Sequence, residues 1–220
     1  MAKKKLKRGI FITFEGPEGS GKSTHAKLIY QFLKGEGYDC VFTREPGGTI
    51  IGNKIRDVLL NPKYKLLEIS PLCELLLFEA ARAEIIDKVI APNLKKKKIV
   101  VCDRFNDSTI VYQGYAGCLP LNNVIKADSY VTRKAKPDIT IILDIDAKTG
   151  LKRAGSNKKA DRMESKSLAF HKRVRNGFKD LARKNKNRIK LIKVRASIAE
   201  TQSIVRKEIT NVVQRYNRVC

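Results

Sequence analysis

The chain has 220 residues, 42% of them hydrophobic, which suits one compact domain with a buried core. It carries 46 lysines and arginines against 22 aspartates and glutamates, a formal net charge of +24. No apolar run approaches the ~20 residues that span a bilayer, and Ile10–Phe14, behind the basic residues Met1–Arg8, is too short for a signal-peptide core. A cytoplasmic protein without a membrane partner is the expectation.

Five cysteines, Cys40, Cys73, Cys102, Cys118 and Cys220, form no CxxC pair and are odd in number, so neither a disulfide framework nor a zinc site is expected. The positive charge is spread along the whole chain, with runs at Lys3–Lys5 and Lys95–Lys98. It reads as a solvated lysine-rich surface, and nucleic-acid binding is not expected from it. Residues 1–8 read as a basic tail ahead of a single domain, 9–220.

In chain order, Ile10–Phe14 reads as a buried strand and Ser23–Lys34 as a helix that Gly35 and Gly37 stop. Cys40–Thr43 is a short strand. Ile50–Leu60 is helical, and Pro71–Ile90 is a long, mostly apolar helix ending near Pro92. Ile99–Cys102 has the unbroken apolar character of a strand buried on both faces. Asn122–Arg133 is helical, Ile139–Leu143 a strand, Leu168–Lys184 a basic amphipathic helix, Ile189–Val194 a last strand and Ile198–Tyr216 a last helix. Such βα alternation predicts an α/β fold, a parallel sheet covered by helices on both sides. Ala154–Asp161, small, polar and basic, breaks the pattern and reads as a mobile loop.

Gly16-Pro17-Glu18-Gly19-Ser20-Gly21-Lys22-Ser23 matches GxxxxGK[ST], between a strand and a helix as the motif requires. Its glycines let backbone N–H groups turn towards phosphate oxygens, Lys22 reaches the terminal phosphates, the Ser23 hydroxyl suits Mg²⁺, and the helix N-terminus adds a favourable dipole. This points to ATP or GTP with Mg²⁺ and leaves the reaction open. The strand ending in Asp103-Arg104 brings a carboxylate for Mg²⁺ and a guanidinium for a phosphate to the chemical edge of the sheet. Thr43-Arg44-Glu45-Pro46-Gly47-Gly48-Thr49 brings another arginine there. Phe78 and Arg82, four apart on one helix, can hold a planar base between a ring and a guanidinium. Arg153, Lys158, Lys159 and Arg162 flank and fill the loop near 153–164, where a closing basic lid can stabilise a transferring phosphoryl group.

Together FEGPEGSGKST, TREPGGT, FEAAR, DRFNDSTIVYQG, PDITIILDID and the lid ending in Asp161-Arg162 resemble thymidylate kinases (dTMP kinases) of the bacterial kind, from about residue 9 to 213. The resemblance implies the nucleoside monophosphate kinase variant of the P-loop fold, with a five-stranded parallel sheet and a small mobile lid. It implies phosphorylation of dTMP to dTDP with ATP and Mg²⁺ as a step of dTTP biosynthesis. Gly16 to Ser23 and Thr24 would hold ATP, Ser23 and Asp103 the metal. Glu18 would sit near the acceptor sugar, Arg44 and Arg104 on its phosphate, Phe78 against thymine and Arg82 at the edge of the base. Ser108, Thr109, Tyr112 and Gln113 would close over base and sugar, and Glu45 would support the metal or the arginines. Lys22, Glu18, Arg104, Arg153 and Arg162 would be the catalytic set, and the molecule a homodimer.

One subtype of the family carries a basic residue directly after the acidic one of the P-loop. Here that position is Gly19, so the chain is similar to the other subtype, whose basic residues come from the lid. It departs from it in having Lys158 and Lys159 where arginines are usual. A kinase for another deoxynucleotide such as dUMP, a nucleic-acid-binding ATPase and an inactive relative are the competing readings.

Overall fold

The computed structural model describes residues 4–64, 68–133, 135–155 and 161–217. Five parallel strands, β1 (Ile10–Glu15), β2 (Cys40–Arg44), β3 (Ile99–Asp103), β4 (Ile139–Asp144) and β5 (Ile189–Lys193), lie in the order β2-β3-β1-β4-β5. β1 is central, with Ile10 opposite Ile99 and Ile12 opposite Ile139, and all six of its residues are buried. Its alternating side chains serve two cores. Ile10, Ile12 and Phe14 pack with Ile29 and Leu33 of α1 (Lys22–Gly35) and with Val205 and Ile209 of α9 (Ile198–Asn217). Phe11 turns to the other face, against Ile85, Ile86 and Ile90. Each such buried side chain contributes ~1.5–3 kcal/mol. The chain leaves β1 towards β2 on one side and returns as β4 on the other, so the sheet's switch point, where an open α/β sheet takes its ligand, lies at the end of β1.

The helices follow the sequence reading closely, with local caps explaining their starts. Thr49 accepts from the Gly52 N–H ahead of α2 (Ile50–Leu60). Ser70 does so from Cys73 at the head of α3 (Pro71–Ile85), where Pro71 needs no partner. The long helix does not end near Pro92. It passes through a π-helical turn, Ile86–Ile90, into α4 (Ala91–Lys95), which holds Pro92 in its first turn. α5 (Asn106–Thr109) runs into a second π-helical stretch, Ile110–Tyr115, and α6 spans Leu121–Thr132. α7 (Ala147–Gly155) occupies ground to which the sequence reading gave no helix, and α8 (Leu168–Lys184) begins at the Ser167 cap.

The N-terminal segment differs from a free tail. The Lys4 backbone N–H donates to the Gly37 carbonyl at 2.9 Å, Leu6 is buried in the α1–α9 core, and the Arg8 guanidinium pairs with Asp138 and lies 3.8 Å from the Tyr216 ring centroid. Leu6 supplies the apolar anchor that composition alone hides. Among the described residues no helix is long and apolar enough to cross a membrane.

Candidate active site

The turn from β1 to α1 is built from Gly16, Gly19 and Gly21 at φ 136°, 65° and 86°, conformations that side chains resist. α1 starts without a side-chain cap, so its first N–H groups face the cavity ready for an anion. Lys22 is buried and its Nζ donates to the Pro17 carbonyl at 2.7 Å. Burial, then Arg104, bring its pKa down to about 8 against the pull of Glu18, Asp103 and Glu15. The Ser23 hydroxyl donates to the Asp103 carboxylate at the end of β3. These two hard oxygens side by side form a donor set that fits Mg²⁺.

Opposite the P-loop, a cavity of about 350 Å³ is lined by Glu18, Arg44, Arg56, Phe78, Arg104 and Tyr112 among others. Arg104 stands at φ 69°, a backbone conformation disfavoured for any residue but glycine. Its guanidinium donates to Glu18 at 2.8 Å, to Ser108 Oγ at 3.0 Å and to the Gly16 carbonyl and the Tyr112 hydroxyl at 3.3 Å each. Burial would raise the Glu18 carboxyl, but Arg104, Lys22 and the Tyr112 hydroxyl at 2.6 Å outweigh it and hold it at about 2. Arg56 donates to the Pro46 carbonyl at 2.9 Å. Burial and the nearby Arg44 lower its pKa, with Arg104 adding to the crowding. Three guanidinium groups thus line one cavity facing the P-loop, an arrangement suited to a phosphate.

The lid side meets the P-loop backbone to backbone. A Cβ on Gly19 would stand 2.0 Å from the Gly150 carbonyl of α7, and one on Gly150 would stand 2.3 Å from the Glu18 carbonyl. One turn further along α7, Arg153 is exposed.

The thymidylate kinase family model matches residues 14–205. A thymidylate kinase of Symbiobacterium thermophilum is 43% identical over 94% of this chain and 95% of its own length. One from Dehalococcoides mccartyi is 51% identical over 77% of this chain and 80% of its own. The crystal structure of thymidylate kinase from Ehrlichia chaffeensis superposes with a TM-score of 0.74 at 36% identity, covering 92% of this chain and 99% of that one. The chain belongs to the thymidylate kinase family.

Within this thymidylate kinase fold, the residues singled out in the sequence fall into three groups. Gly19, Gly21, Lys22, Ser23, Thr24, Arg44, Phe78, Asp103, Arg104, Ser108, Thr109, Tyr112 and Gln113 line the one cavity with Glu18. Gly16, Pro17 and Ser20 shape the P-loop behind them. Gln113 lines it while donating to Glu74 at 2.8 Å. Lys158 and Lys159 lie outside the described residues.

Two arginines have protein partners that the sequence reading did not foresee. One is Arg162, at the base of the lid. It is buried, donates to the Leu59 carbonyl at 2.9 Å and pairs with Glu74, pinning the lid's base to α2 and α3. Arg82 reaches the cavity wall, but its nitrogens are engaged by Glu45 at 3.0 Å, Glu79 at 2.7 Å, Thr109 at 2.8 Å, the Phe105 carbonyl and Asp128. These bonds fix it in the wall of the cavity that Phe78 also lines.

Arg56 and Glu15 were missed by the sequence reading. Glu15 accepts from the backbone N–H groups of Phe105 and Ser108 and from the Ser108 hydroxyl, fixing the start of α5. Burial, then Asp107, raise it to about 7.

Glu45 adds a pH-dependent stability term. Burial pushes its carboxyl up to about 8 in spite of Arg82, with Glu79 adding to the push. A carboxyl raised on folding contributes stability that is full below its unfolded pKa and is lost as pH rises through the folded value. Glu45→Gln keeps an acceptor for Arg82 and has no charge to bury. It is expected to raise Tm relative to the parent at about pH 9, by roughly 2–4 °C for each kcal/mol recovered, and to lose that advantage near pH 5. Thermal unfolding across that range checks the sign.

Proposed function

We propose that the protein transfers the γ-phosphoryl group of MgATP to dTMP, giving ADP and dTDP, as a homodimer in the cytoplasm. The observation that carries the reading is the convergence of Arg44, Arg56 and Arg104 opposite the P-loop, with Phe78 in the same cavity. A P-loop alone binds a nucleotide triphosphate. A second anion site facing it, beside an aromatic side chain, suits a nucleoside monophosphate presented in line.

In this reading the α1 N-terminus and Lys22 take the donor phosphates, while Ser23 and Asp103 hold Mg²⁺, which neutralises phosphate charge. Arg44, Arg56 and Arg104 hold the acceptor phosphate so that its oxygen attacks the γ-phosphorus and the bond to the β–γ bridging oxygen breaks. Negative charge spreads over the transferring group, and the fixed cations around it lower the barrier by position and field. Arg153 is the described lid cation for that charge, one turn beyond the Gly19–Gly150 contact. Glu18, held ionised by Arg104, and Tyr112 face the acceptor sugar. Phe78 stacks on the base.

Phe78→Ala is expected to raise KM for dTMP by about 10-fold or more, the equivalent of ~1–3 kcal/mol of stacking, and to leave KM for ATP little changed. Equal losses for both ligands would exclude the stacking role. The dimer reading is supported by exposed apolar side chains on α2 and α3: Ile50 is 84%, Leu72 57% and Leu76 55% exposed. Sedimentation of Leu72→Glu/Leu76→Glu beside the parent tests it, with a monomer as the expected result.

ADP release with MgATP across the nucleoside and deoxynucleoside monophosphates tests the activity. Selective turnover of dTMP is the expected result. Preference for another monophosphate would redirect the acceptor assignment, and turnover stimulated only by polynucleotide would overturn it.

A further inference from the structure

The strand order leaves β5 at one end of the sheet. The Arg188 carbonyl and the Val194 N–H both bond to β4. Backbone groups alternate sides along a strand, so those of Leu191 and Lys193 point away from β4. Leu191 is 41% exposed.

A groove of about 860 Å³ runs along this edge and shares no lining residue with the kinase cavity. Lys179, Arg183 and Lys186, on α8 and the turn after it, line it with Lys190, whose ammonium donates to the Lys186 carbonyl at 3.0 Å, and with Lys193 and Arg195. The carboxylates in the lining are Asp180, paired with Arg183 at 3.0 Å, and Glu208. Ala182, Ile189, Leu191, Ile192 and Ile204 give the groove apolar surface.

We propose that the β5 edge is a docking groove for an extended acidic segment of a partner protein, which pairs with β5 as a further strand. The open row of N–H and C=O groups matches a peptide backbone, the apolar patches take alternate side chains, and six cations against two carboxylates select acidic residues. Lysine on an edge strand also keeps like edges apart. That accounts for Lys190 and Lys193, and it excludes a second copy of this chain as the occupant. It does not account for the row Lys179, Arg183, Lys186, which lies off the strand. A nucleic-acid strand fits less well, because among the described residues no aromatic side chain lines the groove to stack a base and phosphates leave the strand's N–H/C=O alternation unmatched.

The test uses the full chain and a fluorescein-labelled peptide of alternating glutamate and valine, with a lysine–valine peptide and an oligodeoxyadenylate of equal charge as comparators. The acidic peptide is expected to bind, and to slow hydrogen exchange at the Leu191 and Lys193 amides. Lys179→Glu/Arg183→Glu/Lys186→Glu is expected to weaken binding by about 10-fold or more, roughly 1.4 kcal/mol, with ADP-release activity unchanged. Leu191→Pro removes an outward N–H at an edge position that tolerates proline and keeps every charge. It is expected to weaken binding similarly. Equal affinity for the oligodeoxyadenylate, or peptide binding that survives Leu191→Pro without protection of β5, would overturn the proposal.

Discussion

Lys22→Ala is expected to lower turnover by about 10²–10³ or more, the scale on which a preorganised group aimed at developing charge acts, while leaving the fold intact. The parent structure shows why the two effects separate. Lys22 is buried, shares its surroundings with Arg104, and has its pKa brought down to about 8, chiefly by burial. A lysine depressed on folding subtracts stability wherever it is charged in the unfolded chain, so alanine removes a cost at pH 7. Tm of Lys22→Ala is therefore expected to equal or exceed that of the parent at pH 7, with the difference shrinking towards about pH 10 as the unfolded lysine also loses its proton. A stable, inactive protein is the expected outcome. Near-normal turnover in that protein would sink the kinase assignment.

Arg104→Ala has the second largest expected effect. One guanidinium meets Glu18, Ser108, the Gly16 carbonyl and the Tyr112 hydroxyl, so its loss removes the leading partner of Glu18 together with the acceptor-phosphate ligand proposed above. kcat/KM for dTMP is expected to fall by roughly 10³, with KM for ATP much less affected. Arg104→Lys restores charge without the planar fork and should recover only part of the loss. Backbone strain supplies an independent check. At φ 69° a side chain costs ~1–2 kcal/mol that glycine does not, so Arg104→Gly should unfold at higher temperature than Arg104→Ala while being as inactive. The reverse order would mean that the left-handed turn carries no strain.

The strands were legible because a parallel sheet covered on both faces demands apolar runs: Ile99–Cys102 is unbroken, and Ile10–Phe14 and Ile139–Leu143 are interrupted by one threonine each, Thr13 and Thr140, which pair with each other. The P-loop was legible because its chemistry is local: glycines, lysine and serine act within a few residues of one another. What escaped depends on distant partners. Arg56 sits in an ordinary helical pattern, and only the fold aims it at the Pro46 carbonyl beside Arg44. Arg162 adjoins a basic loop, and only the tertiary position of Glu74 and Leu59 draws it inward. Arg82 was placed at the right wall, but nothing in its spacing from Phe78 announces that Glu45, Glu79, Asp128 and Thr109 converge on it. α7 went unread because Ala147–Gly155 is short and polar, with a glycine in the middle that lowers helix propensity.

The glycine-to-glycine contact between the P-loop and α7 bears on how members of this family can change. A cation at position 19 would offset charge on the transferring phosphate from the P-loop itself, the arrangement of the other subtype. At Gly19 even a methyl group would stand 2.0 Å from the Gly150 carbonyl. A single codon change there wedges the lid helix off its seat before any new charge can act. The route from one subtype to the other therefore passes through α7 first: the helix must shift or shorten, giving up its own cation, before the loop can accept one. The two arrangements stand as alternative solutions separated by a steric valley, and a graft that moves the arginine without moving the helix is expected to yield neither.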